Sequence, residues 1–454
     1  GEGGMTYTLT DSADVEIISG TAFTIILSST DKTAVNLLLN KAGTASTDAT
    51  IYNLAAAEDW ASGADVATIV TDTVANSITV SVPPTSSGGQ NTDSIVSFTV
   101  DGSTITQKTQ SNGTIITTVP TILATRIEDP NSLFSQYADI PVNKHLIISL
   151  PEDTGLKVLG KRQSLNREEG SDQLIEQINA LIDVDSVAQE IVNHVQNFVA
   201  TLPDEDLINV QVITPSRDTD LIPELPIMVT GFPAIDSDKQ ALVIDARNLP
   251  SNAVLRLDHI PFATIIGAVR VTGGDGENCV VGDEHHQYIV LGAADDTLSG
   301  GGGNDTIGSL GGNDGTSGDA GSDIVFGGSG NDLLSGGTGN DQLNGGLGFD
   351  SSIQGGQLSD YQVTIQGNAI TLTQDNGEVD TLTDVELIHF ASGLNLTIAY
   401  SEVEAIAHHL AKNWLGRDLT AVEGSAVQNW IGATTDDILT AFRSLPEAVA
   451  FQDK

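Results

Sequence analysis

The sequence predicts a mainly β protein with an N-terminal β-sandwich, a mixed α/β middle region, a parallel β-roll solenoid and a small C-terminal helical domain. Three patterns carry this prediction. Residues 5–125 alternate polar and β-branched side chains, residues 273–353 repeat every nine residues, and residues 401–454 place apolar side chains at helical spacing. A period of two is typical of strands, a fixed repeat of solenoids, and a period near 3.6 of helices.

We expect five segments along the chain. They are a β-sandwich at 1–125, a mixed α/β region ending in the N-terminal cap of the roll at 126–272, the roll at 273–353, its β cap at 354–400, and the helical domain at 401–454. The sandwich follows from short runs such as "AFTIILSS" and "SITVSV" between Asp, Gly and Ser turns. The segment "FTIILSSTDKTAVNLLLN" resembles Ig-like or Calx-β-like modules.

The charge of the chain excludes several classes of function. The sequence has 61 acidic and 18 basic residues, which gives a formal net charge of −43. A nucleic-acid-binding protein needs Lys and Arg to neutralise phosphates, and an anionic membrane surface attracts the same residues. No apolar run is long enough to span a membrane, and the single cysteine, Cys279, cannot form a disulfide within the chain. We therefore expect neither nucleic acid nor a membrane span among its partners.

The acidic residues are concentrated where basic residues are missing. No Lys or Arg occurs between Arg270 and Lys412, and the same stretch contains the nonapeptides. A Gly- and Asp-rich stretch without counter-charges is either a disordered acidic linker or a segment neutralised by cations. A linker has no reason to keep an apolar residue at a fixed position in every repeat, so the periodicity favours the second interpretation.

Nine nonapeptides follow one another from Gly273 without an insertion. Their sixth positions are Asn278, Gln287, Asp296, Asp305, Asp314, Asp323, Asp332, Asp341 and Asp350. Their eighth positions are Val280, Ile289, Leu298, Ile307, Thr316, Val325, Leu334, Leu343 and Ser352. The spacing predicts a tight turn and a short strand per nonapeptide, with the eighth residue facing the interior. Ser352 is interpreted as the exit from the roll, and Thr316 has no obvious explanation.

Two nonapeptides make one coil, so aspartates eighteen residues apart stack along one edge. Carboxylates stacked in this way repel one another unless a cation such as Ca²⁺, which takes six to eight oxygen ligands, lies between them. We expect about five or six ions, five of them between the pairs Asp296/Asp314, Asp314/Asp332, Asp332/Asp350, Asp305/Asp323 and Asp323/Asp341. Glycine turns supply further carbonyl ligands, for which the candidates are Gly300, Gly302, Gly312, Gly318, Gly327, Gly328, Gly330, Gly336, Gly337 and Gly339.

The first two nonapeptides depart from this pattern. They carry Asn278 and Gln287 at the sixth position, and the second also contains the pair His285 and His286. The predicted calcium pairs therefore begin at Asp296 and Asp305, after these two repeats.

The repeats resemble the RTX family of secreted Gram-negative proteins, whose pattern is G-G-x-G-x-D-x-U-x, where U is a large apolar residue and x is any residue. The segment "VDTLTDVELIHFASG" is similar to the sequence that commonly follows and caps such rolls. The resemblance implies type I export with a C-terminal signal, folding on extracellular calcium, and a location outside the cell or on its surface.

Helices are expected in two other places. Residues 172–199 predict two helices separated by a break at 183–186. The C-terminal segment resembles a helical domain of unknown function that often ends RTX-bearing proteins. The residues that carry this second resemblance are Leu415, Gly416, Arg417, Asp418, Gly424, Trp430, Phe442, Ser444 and Glu447.

No catalytic motif is complete in the sequence. The patterns H-E-x-x-H and G-x-S-x-G are absent, and the segment "GLKVLGK" has Walker A spacing but is followed by Arg162 instead of Ser or Thr. We therefore expect no enzyme, but a calcium-dependent structural or adhesive protein such as a surface-layer, filament or biofilm-matrix subunit. The alternatives are a secreted hydrolase with an unrecognised catalytic domain in 126–272 and a glycan-binding adhesin. The expected partners are calcium and either further copies of the chain or a cell-surface or polysaccharide ligand.

Overall fold

The structure is a computed structural model. It describes seven strands between residues 5 and 81 as backbone, and then residues 94–100, 102–126, 136–143, 145–161, 163–182, 184–232, 238–415, 417–428 and 434–443. The chain forms two compact units, residues 1–162 and residues 163–454. The five segment boundaries expected from the sequence stay predictions.

The first unit consists of antiparallel strands. They are β1 Met5–Leu9, β2 Asp14–Ile18, β3 Thr24–Ser28, β4 Val35–Lys41, β5 Thr50–Leu54, β6 Val66–Asp72, β7 Ser77–Ser81, β8 Ser94–Val100, β9 Ser103–Thr109, β10 Thr114–Val119, β11 Tyr137–Asn143, β12 Leu146–Pro151 and β13 Thr154–Lys161. Two separate sheets have the orders β1-β4-β5 and β2-β3-β6-β7, and the later strands pair as β8-β9-β10-β13 and β11-β12. The alternating segments are therefore strands, as the sequence predicts.

The second unit begins with the two predicted helices, α1 at Arg167–Asn179 and α2 at Asp185–Thr201. The side chain of Asn166 caps α1 by accepting a 3.0 Å hydrogen bond from the backbone N–H of Glu169. Gly170 lets α1 lie directly on the neighbouring strand, because a Cβ at this position would be 2.6 Å from the Cβ of Ile208.

A parallel β-roll follows the helices, and this part of the fold prediction is confirmed. Its strands are β14 Leu207–Arg217, β15 Ile227–Gly231, β16 Asp238–Asp245, β17 Val254–Asp258, β18 Phe262–Ile266, β19 Arg270–Gly273, β20 Cys279–Val281, β21 Tyr288–Val290, β22 Thr297–Ser299, β23 Thr306–Gly308, β24 Gly315–Ser317, β25 Ile324–Ser329, β26 Leu333–Ser335, β27 Gln342–Leu347 and β28 Ser351–Gln354. Even-numbered strands stack in ladder A and odd-numbered strands in ladder B, each pairing in parallel with the strand two places on.

The two ladders begin well before the first nonapeptide. In ladder A, β14 pairs in parallel with β16 and β16 with β18, and in ladder B, β15 pairs with β17 and β17 with β19. The segment expected to cap the roll therefore supplies coils of the same solenoid. β14 and β16 are long, with 11 and 8 residues, and β18 is buried along its whole length.

The ladders also continue beyond the last nonapeptide. The chain leaves β28 through a 3-10 turn at Leu358–Asp360 and forms β29 Tyr361–Gln366, β30 Ala369–Gln374, β31 Val379–Thr383, β32 Leu387–Phe390 and β33 Asn395–Thr397. β31 joins ladder B in parallel with β27, and β32 joins ladder A in parallel with β28. The interpretation of Ser352 as the exit from the roll is therefore wrong, because a complete further coil follows it.

The C-terminal helices pack on this end of the roll. They are α3 Glu402–Leu410, α4 Ala421–Gln428 and α5 Thr435–Arg443, with a π-helical turn at Ala411–Leu415. Their apolar core includes Phe349 and Leu387 of the roll. Phe349 occupies the fifth position of its nonapeptide, and Gly424 lies directly against its ring, where any Cβ would collide. Among the described residues, no helix is long and apolar enough to cross a membrane.

The C-terminal resemblance is only partly inside the described structure. Arg417 pairs with Glu423 at 2.8 Å, and Asp418 pairs with Lys412 at 3.0 Å. Trp430, Ser444, Glu447, Gly416 and the side chain of Phe442 lie outside the described residues.

Candidate metal centre

The stacked aspartates form two columns, one along each edge of the roll. One column contains Asn278, Asp296, Asp314, Asp332 and Asp350, and the other contains Gln287, Asp305, Asp323 and Asp341. Every one of these side chains is buried. The columns lie where each turn enters its strand, because the sixth residue of every nonapeptide immediately precedes the short strand.

Each aspartate is held by the coil before it. One carboxylate oxygen accepts a hydrogen bond from the backbone N–H of the residue eighteen positions earlier. These distances are 2.6 Å for Asp296 to Asp314, 2.7 Å for Asp305 to Asp323, 2.8 Å for Asp314 to Asp332, 2.9 Å for Asp323 to Asp341 and 2.8 Å for Asp332 to Asp350. The structure thus brings together all five pairs for which the sequence predicts an ion.

The second carboxylate oxygen of most of these residues has no hydrogen-bond partner. It is buried and unpaired in Asp305, Asp314, Asp323, Asp332, Asp341 and Asp350. In Asp296 it receives a long hydrogen bond of 3.5 Å from the hydroxyl of Ser309. A buried carboxylate oxygen without a partner is costly, and a cation beside it removes the cost.

Glycine at the first position of the nonapeptide leaves space beside the unpaired oxygens of Asp305, Asp323, Asp332, Asp341 and Asp350, whereas the nonapeptide of Asp314 begins with Ser309. A Cβ on Gly318 would lie 2.6 Å from Asp323 Oδ2 and 2.6 Å from the carbonyl oxygen of Gly336, one coil further on. A Cβ on Gly300 would similarly lie 2.7 Å from Asp305 Oδ2 and 2.8 Å from the Gly318 carbonyl oxygen. Oxygens from two successive coils therefore face one small space. Oxygen ligands at about 2.3–2.6 Å are what Ca²⁺ requires, so these residues fit the ion.

The same arrangement recurs at the other predicted glycines of the first position. Beside Gly327 lie Asp332 Oδ2 and the carbonyl oxygen of Gly345, and beside Gly336 lies Asp341 Oδ2. Gly345 is a contributor that the sequence prediction missed, although it has the same position in the last nonapeptide.

The remaining predicted glycines shape the turns. Gly312, Gly328, Gly330, Gly337 and Gly339 have positive φ angles, and Gly302 forms an isolated parallel bridge with Ala320. Gly330, with φ of 140°, shows why a side chain is excluded, because a Cβ there would collide with the carbonyl oxygen of Gly312.

Burial strongly disfavours ionisation of the columns when no cation balances them. It raises the pKa of Asp305 and of Asp350 to about 8, and that of Asp296 and of Asp323 to about 7. The hydrogen bond from the preceding coil acts in the opposite direction, and the charge of the next aspartate raises the pKa further. Near neutral pH, the columns therefore need either protons or cations.

Two carboxylates extend the columns beyond the nonapeptides. Asp380 accepts a 3.0 Å hydrogen bond from the backbone N–H of Asp341, and Glu386 accepts one of 2.7 Å from that of Asp350. Burial raises the pKa of Asp380 to about 6 and that of Glu386 to about 7. The sequence prediction missed both because their spacing from the preceding aspartate is 39 and 36 residues. The "DTLTDVE" segment contained both residues, and it was the only signal for them.

At the other end of the columns, amide side chains replace carboxylates. Asn278 donates from Nδ2 to the carbonyl oxygen of Ile260 at 3.0 Å. Gln287 donates from Nε2 to the carbonyl oxygens of Ile265 at 3.2 Å and Gly267 at 3.1 Å. These hydrogen bonds reach back to the preceding coil, so the amides themselves tie successive coils together.

A buried carboxylate supports this amide end. Asp283 accepts hydrogen bonds from Gln287 Nε2 at 2.8 Å and from the backbone N–H of Gly267 at 3.0 Å, and it contacts the ring of His285 at 2.7 Å. Asp283, Glu284 and His285 have ligand atoms within 4.8 Å of one another. Because both oxygens of Asp283 are already bound to protein groups, the cluster functions as a hydrogen-bonded brace in this structure.

Comparison with known families agrees with this geometry. The family model described as the RTX calcium-binding nonapeptide repeat (4 copies) matches the chain twice, at residues 281–315 and 317–351. Comparison with characterised proteins and with solved structures gave no significant match. The family match covers the stacked aspartates from Asp296 to Asp350 and the glycine spaces beside them. Residues 281–351 of this chain are RTX calcium-binding nonapeptide repeats, folded as a parallel β-roll.

Proposed function

We propose that the chain is an extracellular structural or adhesive protein whose roll is folded and stabilised by calcium after secretion. The observation that carries the proposal is the columns of buried, unpaired carboxylate oxygens, four of which face a glycine space lined by a carbonyl oxygen from the next coil. Without cations these columns oppose folding near neutral pH, and with cations they join one coil to the next. Metal binding and folding are then a single equilibrium.

The proposed ions lie between the five predicted aspartate pairs. Asp341/Asp380 and Asp350/Glu386 add two candidate positions in the last coil, because the same backbone-to-carboxylate hydrogen bond joins them. The carbonyl oxygen of Asp384 lies beside Asp350 Oδ2 at the space of Gly345 and supplies a further ligand there.

Secretion is inferred from the repeats. Proteins with RTX repeats are typically secreted by Gram-negative bacteria, and calcium sites of extracellular modules have dissociation constants of about 10⁻⁴–10⁻³ M. Such sites stay empty at the low calcium concentration of a cytoplasm and fill outside the cell. We infer that the repeats of this chain are unfolded before export and fold after it.

A structural rather than catalytic role is favoured by how residues 207–272 are used. An unrecognised catalytic domain would have to lie in 126–272, and the described strands of 207–272 are coils of the roll, with α1 packed on β14 at Gly170 and Ile208. The proposed partners are therefore calcium and further copies of the chain.

Calcium titration of the full chain tests the proposal. Circular dichroism and thermal unfolding would be followed from calcium-stripped buffer to millimolar calcium, with magnesium at equal concentration as the control. We expect a gain of β signal and a rise in Tm with calcium but not with magnesium. Electron microscopy of the same samples should show assemblies that EGTA disperses. An unchanged β signal and Tm in calcium overturn the folding proposal, and dispersed particles in calcium overturn the assembly proposal.

A further inference from the structure

Strand β29 is an open edge of the roll. It is the last strand of ladder B, and in the described part of the chain only β30 pairs with it. Its sequence, YQVTIQ, contains no charged residue, and 58% of the Ile365 side chain is exposed. Soluble proteins usually blunt such edges with Lys, Pro, bulges or a covering segment, and none of the first three is present here.

The equivalent end of ladder A has a shorter terminal strand that contacts the helical domain. Its last strand, β33, has only three residues, and the side chain of Asn395 within it donates a 3.0 Å hydrogen bond to Asp418 of the helical domain. Leu387 of the neighbouring strand β32 belongs to the apolar core under the C-terminal helices. One terminal edge is therefore short and attached to the helices, whereas the other is long, neutral and exposed.

The hairpin geometry determines which backbone groups of β29 face outward. Gln366 pairs with Ala369 across a two-residue turn, in which Gly367 has a φ of 67°. Residues flanking a two-residue hairpin turn exchange hydrogen bonds with each other, and the pattern then alternates along the strand. The N–H and C=O groups of Val363 and Ile365 and the C=O group of Tyr361 are consequently directed away from β30, whereas the N–H of Tyr361 donates to the carbonyl oxygen of Leu358.

We propose that a second copy of this chain pairs with β29 in antiparallel orientation, about a two-fold axis at Val363. This register uses the N–H and C=O groups of Val363, the N–H group of Ile365 and the C=O group of Tyr361. It places Val363 opposite the partner's Val363 and Tyr361 opposite the partner's Ile365. Aromatic and β-branched pairs of this kind favour antiparallel pairing.

Charge favours a second copy at this edge rather than at another surface. Two copies with a formal net charge of −43 each repel one another over most of their surfaces. In the proposed register no charged residue of β29 faces another, because the strand has none and Asp360 before it lies opposite the partner's Gln366. A two-fold contact of this kind closes a dimer, so a larger assembly would need a second interface.

This contact rests on the proposed calcium-driven folding of the last coil. β30 pairs with β31, and β31 contains Asp380, which joins the column of carboxylates. The edge is therefore presented only when that coil is folded. We expect dimers in calcium and monomers in EGTA.

Cysteine cross-linking in calcium tests the register. In a Cys279→Ser background, Val363→Cys is compared with Thr364→Cys, its neighbour on the same strand. The Cα atoms of facing hydrogen-bonded residues are about 5.5 Å apart, within reach of a disulfide. The two Thr364 positions would be offset by two residues and about 8 Å apart, which is too far. We expect the Val363→Cys variant to form a covalent dimer at a rate at least tenfold higher than the Thr364→Cys variant.

A charge substitution provides the second measurement. Ile365→Lys should weaken dimerisation at least tenfold in sedimentation experiments, whereas Leu347→Lys, which replaces another exposed apolar residue of the roll, should leave it unchanged. Circular dichroism of each variant in calcium checks folding.

Equal cross-linking at positions 363 and 364, or an unaltered dimer with Ile365→Lys, overturns the interface even when calcium-dependent folding persists. A missing calcium response in the unsubstituted chain is instead the failure of the proposed function.

Discussion

The roll contains two kinds of coil that share one backbone architecture. Coils from β14 to β21 are packed by apolar strands such as β16 and β18 and are joined by the amides of Asn278 and Gln287, which donate to carbonyl oxygens of the preceding coil. Coils from β22 to β28 have strands of three to six residues and are joined at their edges by buried carboxylates that only accept hydrogen bonds. The amides of the first kind donate hydrogen bonds across coils, whereas the ionised carboxylates of the second can only accept them and need cations to balance their charge.

The difference suggests a direction of folding. Asp296 accepts a hydrogen bond from the backbone N–H of Asn278, and Asp305 accepts one from that of Gln287. The amide-braced coils therefore offer a formed edge on which the first calcium-dependent coil can assemble. Parallel strands far from one another in sequence pair slowly without such a template.

Removal of calcium should have the largest effect and should separate the two kinds of coil. In excess EGTA we expect the backbone amides of residues 291–353 to lose hydrogen-exchange protection, while those of β16 and β18 keep it. The reason is that uncompensated buried carboxylates destabilise the nonapeptide coils and the last coil, which contains Asp380 and Glu386. Hydrogen exchange with mass spectrometry, with and without EGTA, makes the measurement. Equal loss of protection in both regions would show that the solenoid folds as one calcium-dependent unit.

A single methyl group in one glycine space should have an intermediate effect. Gly318→Ala places its Cβ 2.6 Å from Asp323 Oδ2 and from the Gly336 carbonyl oxygen, where an ion is proposed. Gly315→Ala is the matched control, because a Cβ there has no neighbour within 4 Å. Loss of one site with a dissociation constant of about 10⁻⁴–10⁻³ M would lower stability in about 10 mM calcium by roughly 1–3 kcal/mol.

Isothermal calorimetry and denaturant unfolding in calcium check this pair of variants. We expect one ion fewer for Gly318→Ala than for Gly315→Ala, together with the larger loss of stability. Equal ion counts for the two variants contradict the assignment of this space to calcium.

The nine-residue repeat determined which residues of the site could be predicted from the sequence. Asp296 to Asp350 keep one spacing, so residue type and register together indicated two columns and their neighbours. Asp380 and Glu386 continue the columns, but the inserted hairpin β29–β30 hides their register. The coils before Gly273 escaped recognition for a similar reason, since their long apolar strands have no fixed repeat. Phe349 is an apolar residue at the fifth position, where the other nonapeptides have polar residues, yet nothing in the sequence indicated that Gly424 packs against its ring.

The smallest expected effect is a dependence on pH that again distinguishes the two kinds of coil. Burial raises the pKa of Asp305 to about 8 and that of Asp323 to about 7, from an ordinary value of 3.8. The folded, calcium-free repeats therefore bind more protons than the unfolded chain, and their stability falls as pH rises through these values. In calcium-stripped buffer we expect more β signal at about pH 5 than at about pH 8.

In the presence of calcium, protons compete with the ion for the carboxylates. The calcium concentration at the midpoint of the folding transition should therefore rise as pH falls. Circular dichroism titrations at both pH values measure each trend. A calcium midpoint that is independent of pH would mean that the carboxylates of the columns are not the ligands.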